Sequence, residues 1–132
     1  MDAFLLAAGL GTRLKPFTDL YPKCLAPIQE IPLLSLWIAK LLNANFINNI
    51  YINLHYKKEE VKAMIKELEF DHSRVILVEE SELLGTSGSI KNMLSLSKAN
   101  DILVIHADNY SEADLNIMHN IYKRHASKGE RF

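Results

Sequence analysis

Apolar positions along the chain follow two alternating rhythms. Residues 2–8, 50–54, 75–79 and 101–107 form short apolar or β-branched runs bounded by Gly, Asn or charged residues, the pattern of buried strands. Between them the period lengthens. Over 58–68 the apolar residues Val61, Met64, Ile65 and Leu68 recur at i, i+3, i+4 and i+7, which predicts a helix with one core-facing side. Residues 33–42 are apolar almost all round, so that helix should be covered on more than one side, with Pro32 suited to its first turn. A third helix is predicted over 87–96, where Thr86 or Ser87 could serve as N-cap, and a fourth over 112–126. Leu115, Met118, Tyr122 and His125 of the fourth should face inward, behind a capping box made by Ser111 and Asp114.

Four strand-helix units in alternation predict an α/β fold: a Rossmann-like, mostly parallel sheet with helices on both faces and right-handed crossovers. With 132 residues there is room for one domain at most. The first connection, residues 9–31, is long for such a fold, and long connections in compact domains are usually functional. If the first strand lies between the second and fourth, that loop emerges beside Asp108 at the carboxyl ends of the strands, where open parallel sheets bind ligands. The topology therefore predicts a site before any motif does.

Composition narrows the chemistry. Fifteen Lys and Arg against sixteen Asp and Glu give a net charge of −1, too little field to draw in nucleic acid or an anionic membrane. No apolar run is long enough to cross a membrane, and the N-terminus lacks the positive segment of a signal peptide, which points to a cytoplasmic protein. The single cysteine, Cys24, has no intrachain partner for a disulfide. Against this balanced background, Arg13, Lys15 and Lys23 gather in one glycine-bearing loop. The dinucleotide fingerprint needs a third glycine where Leu14 stands, and a P-loop needs Gly-Lys-Ser or Gly-Lys-Thr, so neither common nucleotide motif is present. On these facts alone the loop is either an anion site or a solvated basic turn.

The run Leu6-Ala7-Ala8-Gly9-Leu10-Gly11-Thr12-Arg13-Leu14-Lys15-Pro16-Phe17-Thr18, followed by Pro22-Lys23, resembles the signature of the sugar-1-phosphate nucleotidyltransferases, or nucleoside-diphosphate-sugar pyrophosphorylases. Leu84-Gly85-Thr86-Ser87-Gly88 and Ala107-Asp108-Asn109 extend the resemblance in order along the chain. Pro22-Lys23-Cys24-Leu25 and Asn53-Leu54-His55-Tyr56 are most similar to the mannose-1-phosphate guanylyltransferase-like branch. The resemblance implies the nucleotide-diphospho-sugar transferase fold and a reaction that joins a nucleoside triphosphate, GTP by that branch, to a sugar 1-phosphate such as mannose 1-phosphate, releasing pyrophosphate. It implies that amides around Gly9, Leu10, Gly11 and Thr12 hold the triphosphate, that Arg13 neutralises the leaving pyrophosphate and that Lys23 bridges the reacting phosphates. Leu6 and Ala8 would line one side of the base and the backbone at Gly85 the other, with Asp108 as ligand to Mg2+. Lys15 matches a looser position of the family.

Other residues admit two readings each. Glu79 or Glu80 could accept from the ring NH and amino group of guanine, or be ordinary exposed carboxylates. His55 and His106 lie near strand ends without metal-ligand spacing, which favours packing or hydrogen-bonding roles. Cys24 is either a thiol activated by Lys23 or a small buried side chain. Because the family's catalytic domain runs well past this length, residues 1–132 are expected to be its N-terminal, nucleotide-binding part, catalytically weak alone, ending after the fourth helix at 127–132 where another strand is due. The alternative is a non-catalytic nucleotide-sensing or assembly module. An uncovered sheet edge would suit a homo-oligomer.

Overall fold

The computed structural model describes residues 1–129; of the stretch 127–132 where another strand is expected, residues 127–129 form a turn after the last helix, bonded back to His125 and Ala126, and residues 130–132 lie outside the described residues. Four parallel strands, β1 (Asp2–Leu6), β4 (Ile50–Leu54), β5 (Val75–Glu79) and β6 (Ile102–His106), form a sheet of order β5-β4-β1-β6. The first strand thus lies between the second and fourth of the sheet, as the sequence predicts. In register, Phe4 is flanked by Tyr51 and Val104, and Leu6 by Asn53 and His106.

Strand alternation sorts the core into two layers. Ala3, Leu5, Ile50, Ile52 and Leu54 point to one face, which α2 (Leu33–Leu42) and α3 (Lys58–Glu67) cover with Leu34, Ile38, Leu41, Val61 and Ile65. Phe4, Tyr51 and Val78 point to the other and meet Met93 of α4 (Gly85–Leu94). Phe4 and Tyr51 pack edge to face there, with ring centroids 5.5 Å apart. Helices therefore lie on both faces. The chain steps outward from β1 to β4 to β5 and then crosses back to β6, so the strand order reverses at β1, which is the switch point for ligand binding in an open sheet.

Three local expectations are corrected. β1 stops at Leu6 rather than running to residue 8, because the Ala7 N–H leaves the ladder for the Asn53 side chain. α4 begins at Gly85, before the Thr86 and Ser87 expected to cap it, and neither acts as its cap. The final helix, α5 (Leu115–Ala126), begins after the expected start, since Asp114 caps it by accepting from the N–H groups of Asn116 and Ile117, whereas Ser111 accepts only from Ala113. Of the four residues expected to face inward on α5, Leu115 alone is buried, and Met118 is 44% exposed.

The long first connection is folded. It carries a 3-10 turn at Thr12–Leu14, the short α1 (Phe17–Leu20), a second 3-10 turn at Lys23–Leu25 and a hairpin of β2 (Pro27–Ile28) with β3 (Ile31–Pro32). No helix among the described residues is long and apolar enough to cross a membrane.

Candidate functional site

The carboxyl end of β1 opens into a cavity of about 230 Å3. Leu6, Ala7, Ala8 and Gly9 form its centre, Lys23 and Cys24 come from the first loop, His106 and Asp108 from the end of β6, Asn53 from β4, and Leu83, Gly85, Thr86 and Ser89 from the start of α4. Lys23 and Asp108, 85 residues apart in sequence, meet across the mouth as an ion pair, each side chain a little under one-third exposed.

The loop is shaped to bring Lys23 there. Gly11 adopts a left-handed backbone, φ +63°, and a Cβ on it would stand 2.8 Å from both Lys23 Cβ and Thr18 Cγ2. Thr18 Oγ1 donates to the Gly11 carbonyl at 2.8 Å, and Tyr56 Oη donates to the Thr18 carbonyl at 2.7 Å, which ties the loop to the segment after β4. Asp108 is held from the opposite side. Trp37 Nε1 donates to the Asn109 carbonyl at 2.7 Å and Lys40 Nζ to the Ser111 carbonyl at 3.0 Å, so α2 supports the turn that carries Asp108.

At the β4 side the lining is polar and buried. Asn53 is 2% exposed in an otherwise apolar strand, and its amide is fully engaged: Oδ1 accepts from the Ala7 N–H at 2.7 Å, while Nδ2 donates to Glu80 Oε1 at 3.1 Å and Ser89 Oγ at 2.9 Å. Glu80 is 4% exposed, and its Oε2 has no hydrogen-bond partner among the described residues.

Of the residues singled out from sequence, Leu6, Ala8, Gly9, Gly85, Lys23 and Asp108 share the cavity. Leu10, Gly11, Thr12 and Arg13 lie outside its lining; Leu10 and Arg13 are exposed on the turn, and Gly11 serves the passage of Lys23. Lys15 pairs with Asp19 on the surface at 3.4 Å.

Family membership follows from comparison. Residues 2–132 match the family described as nucleotidyl transferase. The chain belongs to the nucleotidyl transferase family. Among relatives, it is 36% identical over 115 residues to the D-glycero-alpha-D-manno-heptose 1-phosphate guanylyltransferase of Campylobacter jejuni, covering 87% of this chain and 51% of that protein. A Sulfolobus acidocaldarius relative bearing the provisional name of a mannose-1-phosphate guanyltransferase is 32% identical over 130 residues, covering 98% of this chain and 35% of its own length. HddC from Yersinia pseudotuberculosis, solved in complex with GMP-PN, superposes with a TM-score of 0.76 at 33% identity, over 91% of this chain and 53% of that one. The chain thus spans between about one-third and one-half of the length of these relatives.

The ambiguous residues of this nucleotidyl transferase chain separate on geometry. Glu79 is bound by Lys58, at 2.8 Å, and by Lys62, both on α3, and these hydrogen bonds hold its carboxyl down at about 2 from an ordinary 4.5. It is a surface anchor for α3. His55 Nδ1 lies 3.0 Å from the Glu80 carbonyl, which can only accept, so this ring nitrogen carries the proton. Cys24 is 1% exposed, and burial pushes its thiol up to about 12, so it carries no thiolate near neutrality and is not a nucleophile. His106 lines the cavity.

Asn53 and Ser89 are the part of the site that motif reading misses, since Asn53 enters the motifs only as a branch marker; Glu80, singled out as either a guanine acceptor or an exposed carboxylate, is buried beside them. A signal did exist in the sequence. Ile50-Tyr51-Ile52-Asn53-Leu54 is an apolar run with one amide in it, and a buried amide needs partners.

Proposed function

We propose that the chain is the nucleotide-binding part of a sugar-1-phosphate nucleotidyltransferase, with GTP as donor and a manno-configured sugar 1-phosphate, mannose 1-phosphate among them, as acceptor. The observation that carries this reading is the meeting of Lys23 with Asp108 at the mouth of a cavity lined by residues 6–9. The names of the guanylyltransferase relatives support the choice of base and sugar.

In this reaction an anionic oxygen of the sugar phosphate attacks the α-phosphorus and pyrophosphate leaves. The nucleophile is already ionised, so the protein's task is to align the reactants and neutralise charge. Lys23 supplies a compact ammonium at the reacting phosphates, and Arg13, exposed on the turn and outside the cavity lining, supplies a planar fork suited to the spread charge of pyrophosphate. The amides of Gly9, Leu10, Gly11 and Thr12 face the triphosphate, while Leu6, Ala8 and Gly85 bound the base. Among the described residues no three carboxylates, histidines or cysteines gather into a metal cluster. Mg2+ fits this arrangement in another way, because it commonly binds one or two carboxylates together with substrate phosphates. Asp108 would hold it, and the ion would draw negative charge from the phosphates. A reaction consuming free nucleoside triphosphate suits the cytoplasm.

Calorimetric titration with GTP and Mg2+ tests the reading. GTP should bind, Lys23→Ala should weaken it by roughly ten- to a hundredfold, as expected for a lost charge-assisted bond, and Asp108→Asn should remove the dependence on Mg2+. Failure of every nucleoside triphosphate to bind would overturn it.

A further inference from the structure

Asp108 opens a stretch of chain that has little to hold it. Residues 109–114 are exposed and form neither helix nor strand. Among the described residues, the long-range hydrogen bonds to 109–113 both come from α2: Trp37 Nε1 donates to the Asn109 carbonyl at 2.7 Å and Lys40 Nζ to the Ser111 carbonyl at 3.0 Å. We propose that Trp37 is a positioning residue whose indole N–H, anchored in α2, keeps Asp108 at the cavity mouth opposite Lys23 and so sets how strongly Mg2+ enhances GTP binding. The inference rests on the nucleotide-binding reading above and concerns how its metal ligand is kept in place.

Trp37 is suited to the task. It is 6% exposed, and a buried indole has one N–H to satisfy and only two side-chain torsions, which makes it a stiff donor. Lys40 stands three residues further along and so shares its face of the helix; its Nζ lies 5.4 Å from the Trp37 ring centroid. The first of the two bonds ends on the residue next to Asp108, so it acts on the carboxylate through one peptide unit and not by touching what Asp108 binds.

The same helix holds Lys23. The 3-10 turn Lys23–Leu25 leads into Ala26, whose carbonyl accepts from the N–H of Leu33, the first residue of α2, at 3.0 Å. Cys24, 1% exposed, lies in one core cluster with Leu33, Leu34 and Trp37, and Leu25 packs against that cluster. Helix α2 therefore braces both sides of the mouth, the lysine at its first residue and the carboxylate from Trp37, about 6 Å further along the axis. Burial of Cys24 thereby has a use that its chemistry does not supply.

Lys23 and Asp108 attract each other across this mouth. With the Trp37 bond removed, the exposed turn is free to carry Asp108 off its place, and the ion keeps the phosphates but loses the carboxylate. Groups that orient a metal ligand from behind typically change affinity by about 10–100-fold. A tryptophan that served packing alone would behave otherwise, costing stability and weakening GTP equally with and without the ion.

The test is calorimetric titration with GTP, in Mg2+ and in EDTA, on the unaltered chain, Trp37→Phe, Asp108→Asn and the double variant, with thermal unfolding of each. In Trp37→Phe the gain in GTP affinity given by Mg2+ should fall about tenfold, while the affinity in EDTA stays within about twofold. The double variant should show the same Mg2+ gain as Asp108→Asn, because a residue that acts through Asp108 has nothing left to act on. The chain has one tryptophan, so biosynthetic exchange for the benzothienyl analogue, which puts sulfur where the N–H stands, alters Trp37 alone. That protein should match Trp37→Phe, and it decides the matter should Trp37→Phe fail to fold. An unchanged Mg2+ gain, an equal loss with and without Mg2+, or a further fall in the double variant would overturn the inference and leave the nucleotide-binding reading intact. GTP bound by the unaltered chain with no gain from Mg2+ would overturn it together with the role of Asp108. Absence of binding by every triphosphate would remove the underlying reading and this one with it.

Discussion

A strand that ends early leaves a backbone donor in need of an acceptor, and at Ala7 the acceptor is a side chain from the neighbouring strand. That exchange releases residues 7–9 from the strand, and they line the cavity. Gly11 shows the same economy at the loop. Its left-handed backbone is one that residues with a Cβ adopt only at a cost, and the place a Cβ would take is filled by Lys23 and Thr18. Gly11→Ala should destabilise the chain by about 1–3 kcal/mol and weaken GTP binding further by displacing Lys23; thermal unfolding and calorimetry together check this, and a stable variant with unaltered affinity would show that Lys23 is not positioned this way. Lys23 and Asp108 were readable from sequence because each stands in a motif whose chemistry is explicit. Asn53, Glu80 and Ser89 were not readable as a group, because Glu80 and Ser89 lie 27 and 36 residues from Asn53 and meet it only once strand register and the face of α4 are fixed.

At the scale of elements, α3 was legible from its regular apolar spacing and α2 from an apolar surface almost all round, and six of the ten residues of α2 are buried. α4 starts at Gly85, at φ +70°, ahead of Thr86 and Ser87, the expected caps, and no side chain caps it. α3 is anchored at its surface by Glu79, which joins Lys58 and Lys62 to the end of β5. The folded state holds the Glu79 carboxyl at about 2, below its ordinary 4.5. Folding therefore favours the ionised form, and the contribution is present above pH 4.5 and lost as pH falls toward 2. Urea midpoints measured at several pH values should fall more steeply through this window in the unaltered chain than in Glu79→Gln, and the two should converge at its acid end. Because the pair is exposed, raising salt to about 1 M should shrink the difference. Equal slopes for both proteins would show that the ion pairs contribute nothing to stability.

For the molecule as a whole, strand order was legible from the alternation of elements, but the strength with which each unit is held was not. β1 and β4 have neighbours on both sides and cores on both faces. β6 lies at an edge with Val104 40% exposed, and α5 packs beside it with Leu115 buried while Ile117, Met118 and Ile121 remain between 44% and 59% exposed. A groove of about 570 Å3 runs between α5 and β6, and contacts holding the helix include the Asp114 cap, the stacking of His119 on Phe46 at 4.0 Å and a hydrogen bond of 2.6 Å from Tyr122 to Asp101. A periodic apolar stripe predicts a covered face, and among the described residues the stripe of α5 is covered at Leu115 but left open at Met118. Little buried apolar surface, as on α5 among the described residues, implies a low free energy of local opening. Amides of α5 should therefore exchange with solvent through a sub-global opening well before those of β1 and β4, which should exchange only on global unfolding. Met118→Ala should leave global stability within about 0.5 kcal/mol, as for an exposed substitution, whereas Leu115→Ala should selectively accelerate exchange across 115–126. Hydrogen exchange followed by NMR reads both, and uniform protection across α5 and the central strands would mean that the helix and sheet open as one cooperative unit.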